Sequence, residues 1–265
     1  MSRFQIDWLD LREAADRTAR DRDLIAMLAG HIASLPDPGV VDLGCGTGAT
    51  YRALAPALPD GARWLMVDND PALLAVARRR LAGVAAAGRF LQHDLADPDD
   101  LPLTGDGIVT ASALFDLCSD EFCSRIAAHI TRTGSTLYAT LTYNGAVHWS
   151  MAHPLDCRIV EGFNRHQRGD KGFGPALGPD ATMALALALS RRGRTVFLRK
   201  SPWELDASMV ALQRSFLEGF RQPLLEIGAI EADALEAWLS FRLAMIEKPG
   251  SVCHVGHFDL LSLPA

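Results

Sequence analysis

The run Val40-Val41-Asp42-Leu43-Gly44-Cys45-Gly46-Thr47-Gly48 constrains the fold more than any other part of the chain. A short apolar strand enters a loop with glycine at alternate positions, and residues 50–58 follow with the pattern of a helix. Glycines let the backbone adopt dihedrals that a side chain forbids and approach a ligand closely. A strand, glycine turn and helix in that order place the ligand at the strand's carboxyl end. A nicotinamide-binding fingerprint has the spacing G-x-G-x-x-G. Alternate glycines with an acid, Asp42, before them favour a different ligand.

The unit then repeats. Residues 64–67 form a second apolar strand, ended by Asp68-Asn69-Asp70-Pro71. Residues 72–81 read as a helix capped by Asp70, with Pro71 suited to its first turn. Strands are expected at 89–93, 107–111 and 135–141, with a helix at 121–131 before the last. Such alternation implies a parallel sheet covered by helices on both faces.

Before it, residues 1–35 carry apolar residues at helical spacing, ended by Pro36-Asp37-Pro38-Gly39. After Tyr143 the rhythm stops, and residues 144–179, rich in Gly, Pro, His and Arg, are expected to be an inserted lid with one brief helix at 156–163. A helix at 181–191, a strand at 195–200, a helical segment at 206–248 broken around Pro223 and Gly228, and a last strand at 251–261 follow. The expected organisation is one domain, 1–265.

Composition narrows the function. With 49% hydrophobic and 22% charged residues the chain has enough apolar surface to fold. A formal charge of −6 gives no global attraction to nucleic acid, and the basic group Arg165, Arg168, Lys171 reads as solvated surface. The five cysteines are scattered without zinc-site spacing, so no metal is expected. The absence of a signal-like amino terminus or a membrane-length apolar run makes the cytoplasm the expected compartment, with no membrane partner, for a monomer or homodimer.

Asp42, Gly44, Gly46 and Gly48, with Cys45 inside the loop, resemble the first motif of class I S-adenosylmethionine-dependent methyltransferases. In that family the strand-one acid and glycine loop hold the amino-acid end of the cofactor. The resemblance implies that Asp68, twenty residues after Gly48, accepts hydrogen bonds from the ribose hydroxyls. It likewise implies that Asp94 meets the adenine amine while Leu95 supplies a backbone donor, and that Ala111 to Leu114 lie beside the methionine end. Asn69 reads equally as an adenine or ribose contact and as a turn residue. The implied fold is α/β, a Rossmann-like seven-stranded methyltransferase sheet, mostly parallel with a reversed last strand and helices on both faces.

The implied reaction is methyl transfer from S-adenosylmethionine to an oxygen or nitrogen of a small polar molecule, releasing S-adenosylhomocysteine. Two other readings stay open: transfer of an aminopropyl or aminocarboxypropyl group, and a non-catalytic protein that binds the cofactor. Asp116 is placed to orient or deprotonate an acceptor, and reads equally as a helix cap. His166, whose ordinary pKa is near neutral, and Tyr143 are the other candidate catalytic groups, although the lid histidines also read as surface residues. Arg12, Trp149, Asn164, Gln167 and Lys171 are candidate acceptor contacts, with Arg12 alternatively paired to Glu13.

Overall fold

A computed structural model describes residues 3–36, 38–59, 62–83, 88–101, 103 and 107–264. Asp37, in the expected turn before the first strand, lies outside them. Strands β1 (Gly39–Leu43), β2 (Arg63–Asp68), β3 (Arg89–Gln92), β4 (Ile108–Ser112) and β5 (Thr136–Trp149) pair in parallel in the order β3-β2-β1-β4-β5. Val40 to Leu43 and Ile108 to Ala111 are buried along their whole length, as strands covered on both faces must be.

Beyond β5 the sheet continues through β8 (Cys253–Leu263) to β6 (Thr195–Lys200), and β8 runs antiparallel to both. A three-residue strand, β7 (Trp203–Leu205), also pairs with β8. Among the described residues the sheet therefore has eight strands rather than the expected seven. The extra strand is too short to show a period of two in the sequence.

Helices α1 (Arg3–Ala19), α2 (Arg22–Ala33), α3 (Ala49–Leu54), α4 (Pro71–Arg80) and α5 (Asp120–Thr133) precede β5 in the chain. Local chemistry fixes several of their ends. The Asp21 carboxylate accepts from Leu24 N, and that of Asp70 from Ala72 N with Pro71 in the first turn. Ser119 Oγ accepts from Phe122 N at the start of α5, and Gly134 ends that helix with φ 71°. Each side-chain cap contributes about 1 kcal/mol.

The later helices are α6 (Asp156–Gln167), α7 (Ala181–Ser190), α8 (Val210–Glu218), α9 (Arg221–Glu226) and α10 (Ala232–Met245). One core joins Val41, Val109, Leu137 and Leu260 of the sheet to Ile126, Ile130, Leu185 and Leu189 of α5 and α7. On the opposite face Leu24, Leu28, Ile32, Leu54 and Leu74 pack against Val40, Trp64, Met66 and Ile108. A third core gathers α1, α6 and α8 to α10 around Trp203, Phe220, Trp238 and Val255.

The expected lid needs correction at its start. Residues 144–149 continue β5 and pair with β8, with register shifts between Ala139 and Thr142 and between Tyr143 and Val147. Bulges of this kind hide a strand from pattern reading, and Asn144-Gly145, with Gly145 at φ 86°, reads as a turn. Helix α6 is packed rather than free. A Cβ on Gly162 would lie 2.7 Å from Leu224 Cδ2 and 2.8 Å from Ala229 Cβ, so only glycine permits that approach.

Candidate active site

The chain leaves β1 toward β2 on one side and β4 toward β5 on the other, so the sheet's topological switch lies between β1 and β4. Loops leaving the carboxyl ends of those two strands diverge and open a crevice. A cavity of about 240 Å³ occupies it. Its floor is Gly44, Cys45, Gly46, Thr47, Ala49 and Thr50; Asp68 and Leu73 stand on the β2 side, and Ser112, Ala113, Leu114 and Leu117 on the β4 side.

Backbone conformation makes the glycine loop specific. Gly44, Gly46 and Gly48 take φ of 65°, 53° and 85°, in the left-handed region where a side chain is strained. Over Gly46 lies Leu9 of α1, 3.3 Å from where a Cβ would stand. Across the crevice Ala113 holds φ 51° without being glycine, its N–H donating to Thr140 O at 2.9 Å. Strain of that kind persists only where the surroundings impose it, and it gathers at functional sites.

Asp68 is 6% exposed. Its carboxylate accepts from Gly46 N at 2.8 Å and from Asp70 N at 2.9 Å, which ties the end of β2 to the loop after β1. Burial raises its pKa, against the lowering by those N–H groups. Asp42 is fully buried and lies beneath the loop rather than in the cavity wall. Thr110 Oγ1 donates to its Oδ1 at 2.8 Å, Oδ2 has no partner among the described residues, and burial raises its carboxyl to about 7.

The remaining cofactor candidates divide. Ala111 and Leu95 are buried, Leu95 beneath Gly44, whereas Asn69 and Asp94 are exposed outside the cavity lining. Asp94 Oδ1 accepts from Ala96 N at 2.9 Å in a local turn.

Helix α1 forms the roof. Trp8, Arg12 and Asp16, each four residues from the next, present one face to the cavity, with Leu9 beside them. Arg12 does not pair with Glu13. Its guanidinium grips Asp16 through Nε at 2.8 Å and Nη2 at 3.2 Å and lies 5.0 Å over the Trp203 ring. Trp203 Nε1 donates to Asp16 at 2.9 Å. Glu13 instead holds Arg52 and Asp10 holds Arg80, by paired bonds of 2.6 to 2.7 Å, clamping α1 onto α3 and α4.

Behind Arg12 lies a buried polar group. Asp116 Oδ1 has no partner among the described residues. Burial raises its carboxyl to about 6, against the lowering by its own and Tyr143's backbone N–H and by Arg12. The Asp116 carboxylate does not cap α5, since Ser119 does. The Tyr143 ring stands 6.3 Å from that of His257, whose pKa falls to about 3 through burial and the charge of Arg12. Burial and the Asp116 charge push the Tyr143 phenol up, and its hydroxyl donates to Asn164 Oδ1 at 2.8 Å.

The other acceptor candidates lie elsewhere. Asn164 binds Tyr143 and Gly145 O, so it fixes α6 to β5. Trp149 is packed against Arg242, 4.4 Å from its ring centre, and against Trp238 and Phe220. His166 Nε2 bonds Glu226 at 3.0 Å and lines a separate surface cavity with Ser215, Gln222 and Pro223. Lys171 lies within reach of the Glu226 charge, and Gln167 packs beneath Gly178. These residues hold α6 and its neighbours in place, and the structure does not bring them to the crevice. Leu9, Asp16, Trp203 and His257 escaped the sequence reading; only Asp16 carried a signal, as a member of the four-residue series on α1.

Residues 40–134 match the methyltransferase-domain family. Over 93 residues the chain is 41% identical to trans-aconitate 2-methyltransferase of Methylobacterium nodulans, covering 35% of this chain and 32% of that protein. A second trans-aconitate 2-methyltransferase, from Acidovorax ebreus, is 37% identical over 92 residues, 34% of this chain and 33% of its own. The chain thus matches about a third of the length of these curated relatives. Among solved structures, the YcgJ protein of Bacillus subtilis superposes with a TM-score of 0.53 at 14% identity, over 92% of this chain and all of that one. The glycine loop, Asp68 and the ends of β1 and β4 all fall within the residues that match the methyltransferase-domain family.

Proposed function

We propose that the chain transfers a methyl group from S-adenosylmethionine to an oxygen or nitrogen of a small molecule. The observation that carries this reading is the convergence of the left-handed glycine loop, the buried Asp68 carboxylate and the strained Ala113 on one crevice at the β1/β4 switch. When bound, the cofactor supplies a methyl group on a sulfonium, and displacement there needs alignment and dryness more than a dedicated acid or base.

The residues present suit that task. Asp68 offers a charged acceptor for hydroxyl donors, the glycine loop offers backbone at close range, and Trp8, Leu9, Leu73, Leu114 and Leu117 exclude water. Asp116, with its raised carboxyl and unpartnered Oδ1 behind Arg12, is the group proposed to receive a proton from the acceptor. Tyr143 holds the backbone that bonds Asp116, a positioning role.

Trans-aconitate, named for the relatives, is the first acceptor to assay, although α1, β7 and β8 lie outside the matched residues. Incubation with methyl-labelled S-adenosylmethionine and a panel of acceptors is expected to give labelled product and S-adenosylhomocysteine. Methylthioadenosine as the nucleoside product would replace methyl transfer by transfer of another part of the same donor.

A further inference from the structure

Between Ala139, opposite Leu260, and Thr142, opposite Phe258, two residues of β5 face a single residue of β8, Asp259. This is a β-bulge, which bends a strand, re-aims the residues after it and is frequent beside active sites. Its second residue, Leu141, is fully buried and holds φ 53°, in the left-handed region that a bulky side chain resists. The Leu141 N–H donates to Asp259 Oδ1 at 2.9 Å. Asp259 is fully buried as well, with Ser201 Oγ donating to the same oxygen at 2.7 Å and Asp21 N donating to Oδ2 at 2.9 Å. Burial raises its pKa, against the lowering by these three donors and by the charge of Arg20. A carboxylate anchored in this way can impose on leucine a conformation that leucine does not take unaided.

The bulge lies between the two points at which β5 supports the crevice. Thr140, just before Leu141, accepts at its carbonyl from the N–H of Ala113, the strained residue of the crevice wall. Tyr143, two residues after Leu141, gives its backbone N–H to Asp116. Neither Leu141 nor Asp259 is among the residues that line the crevice. We propose that Asp259 is a positioning residue for the transfer reaction: through Leu141 it fixes the bend of β5 that holds Ala113 in the crevice wall and Asp116 behind it. This rests on the donor site and the proton-receiving role of Asp116 proposed above. Small displacements of such supports are costly, because in-line transfer depends on alignment.

A double-mutant cycle on the whole chain, read by calorimetry with S-adenosylhomocysteine, tests this. Asp259→Ala is expected to weaken binding about 10-fold with Leu141 present and less than about 3-fold in the Leu141→Gly background, because glycine takes φ 53° without help from the carboxylate. A second readout is the carboxyl carbon resonance of Asp116, identified by its loss in Asp116→Asn. In Asp259→Ala it is expected to titrate at higher pH than in wild type, since the Tyr143 N–H no longer favours the charged form. Where Asp259→Ala does not fold, Asp259→Asn, which keeps one acceptor oxygen, takes its place with smaller effects of the same sign. Equal weakening in both backgrounds, the result expected if Asp259 acts only through the charge of Arg20, would overturn the proposal. So would unchanged binding together with an unchanged Asp116 titration. If wild type binds no S-adenosylhomocysteine, the donor reading falls by itself, and an Asp116 titration unaltered by Asp259→Ala then overturns this proposal too.

Discussion

At Asp116, the group proposed to receive the acceptor's proton, burial sets the charged form against stability. Burial raises it to about 6, so the folded protein holds this proton more tightly than the unfolded chain does. The stability it contributes is complete below about pH 4, the ordinary aspartate value, and is lost as pH rises through about 6. Asp116→Asn is therefore expected to melt higher than wild type at pH 8, by about 1–3 kcal/mol, and to match it near pH 4. The same substitution is expected to lower turnover and abolish its rise through about pH 6, while S-adenosylhomocysteine affinity stays constant. Equal melting temperatures at both pH values would show that the carboxyl is not buried in solution. His166→Ala is expected to leave turnover within about twofold of wild type, because its partner is Glu226 on another surface.

Among the elements, α1 decides whether the crevice is closed. It supplies Trp8, Leu9, Arg12 and Asp16, and it is clamped by Asp10 to Arg80 and by Glu13 to Arg52. Partly exposed ion pairs contribute about 0.2–1 kcal/mol each. Removing both with Asp10→Asn and Glu13→Gln is expected to speed amide exchange in α1, leave β1 protected and weaken S-adenosylhomocysteine severalfold. Unchanged exchange in α1 would mean that packing of Ala15 and Trp8 against the third core holds the helix without the clamps. Gly46→Ala meets two obstacles, a φ of 53° and Leu9 at 3.3 Å, and is expected to cost about 1 kcal/mol or more in the thermal melt.

At the scale of the whole molecule, the parts legible in the sequence are those written in local chemistry. Asp70-Pro71, Ser119 and the alternate glycines each act within a few residues of themselves, and they locate α4, α5 and the loop. The alternation of strand and helix shows the parallel sheet, but the switch between β1 and β4 is visible only in the strand order. What the chain does not display locally is partnership across the fold. Trp203 reaches Asp16 from 187 residues away, and Arg20 reaches Thr140 from 120. The bulged end of β5 looks like a turn until β8 pairs with it. The glycine loop, Asp68 and the end of β4 lie within residues 40–134, whereas the α1 roof of the crevice lies outside them.

Asp68 is where the donor assignment meets a single measurement. Titration calorimetry of wild type and Asp68→Ala with S-adenosylhomocysteine is expected to show one site per chain in wild type and a loss of about 1–3 kcal/mol in the variant, the contribution of charge-assisted hydrogen bonds. Absence of binding to wild type, or equal affinity in both proteins, would contradict the placement of the methyl donor in the crevice between β1 and β4.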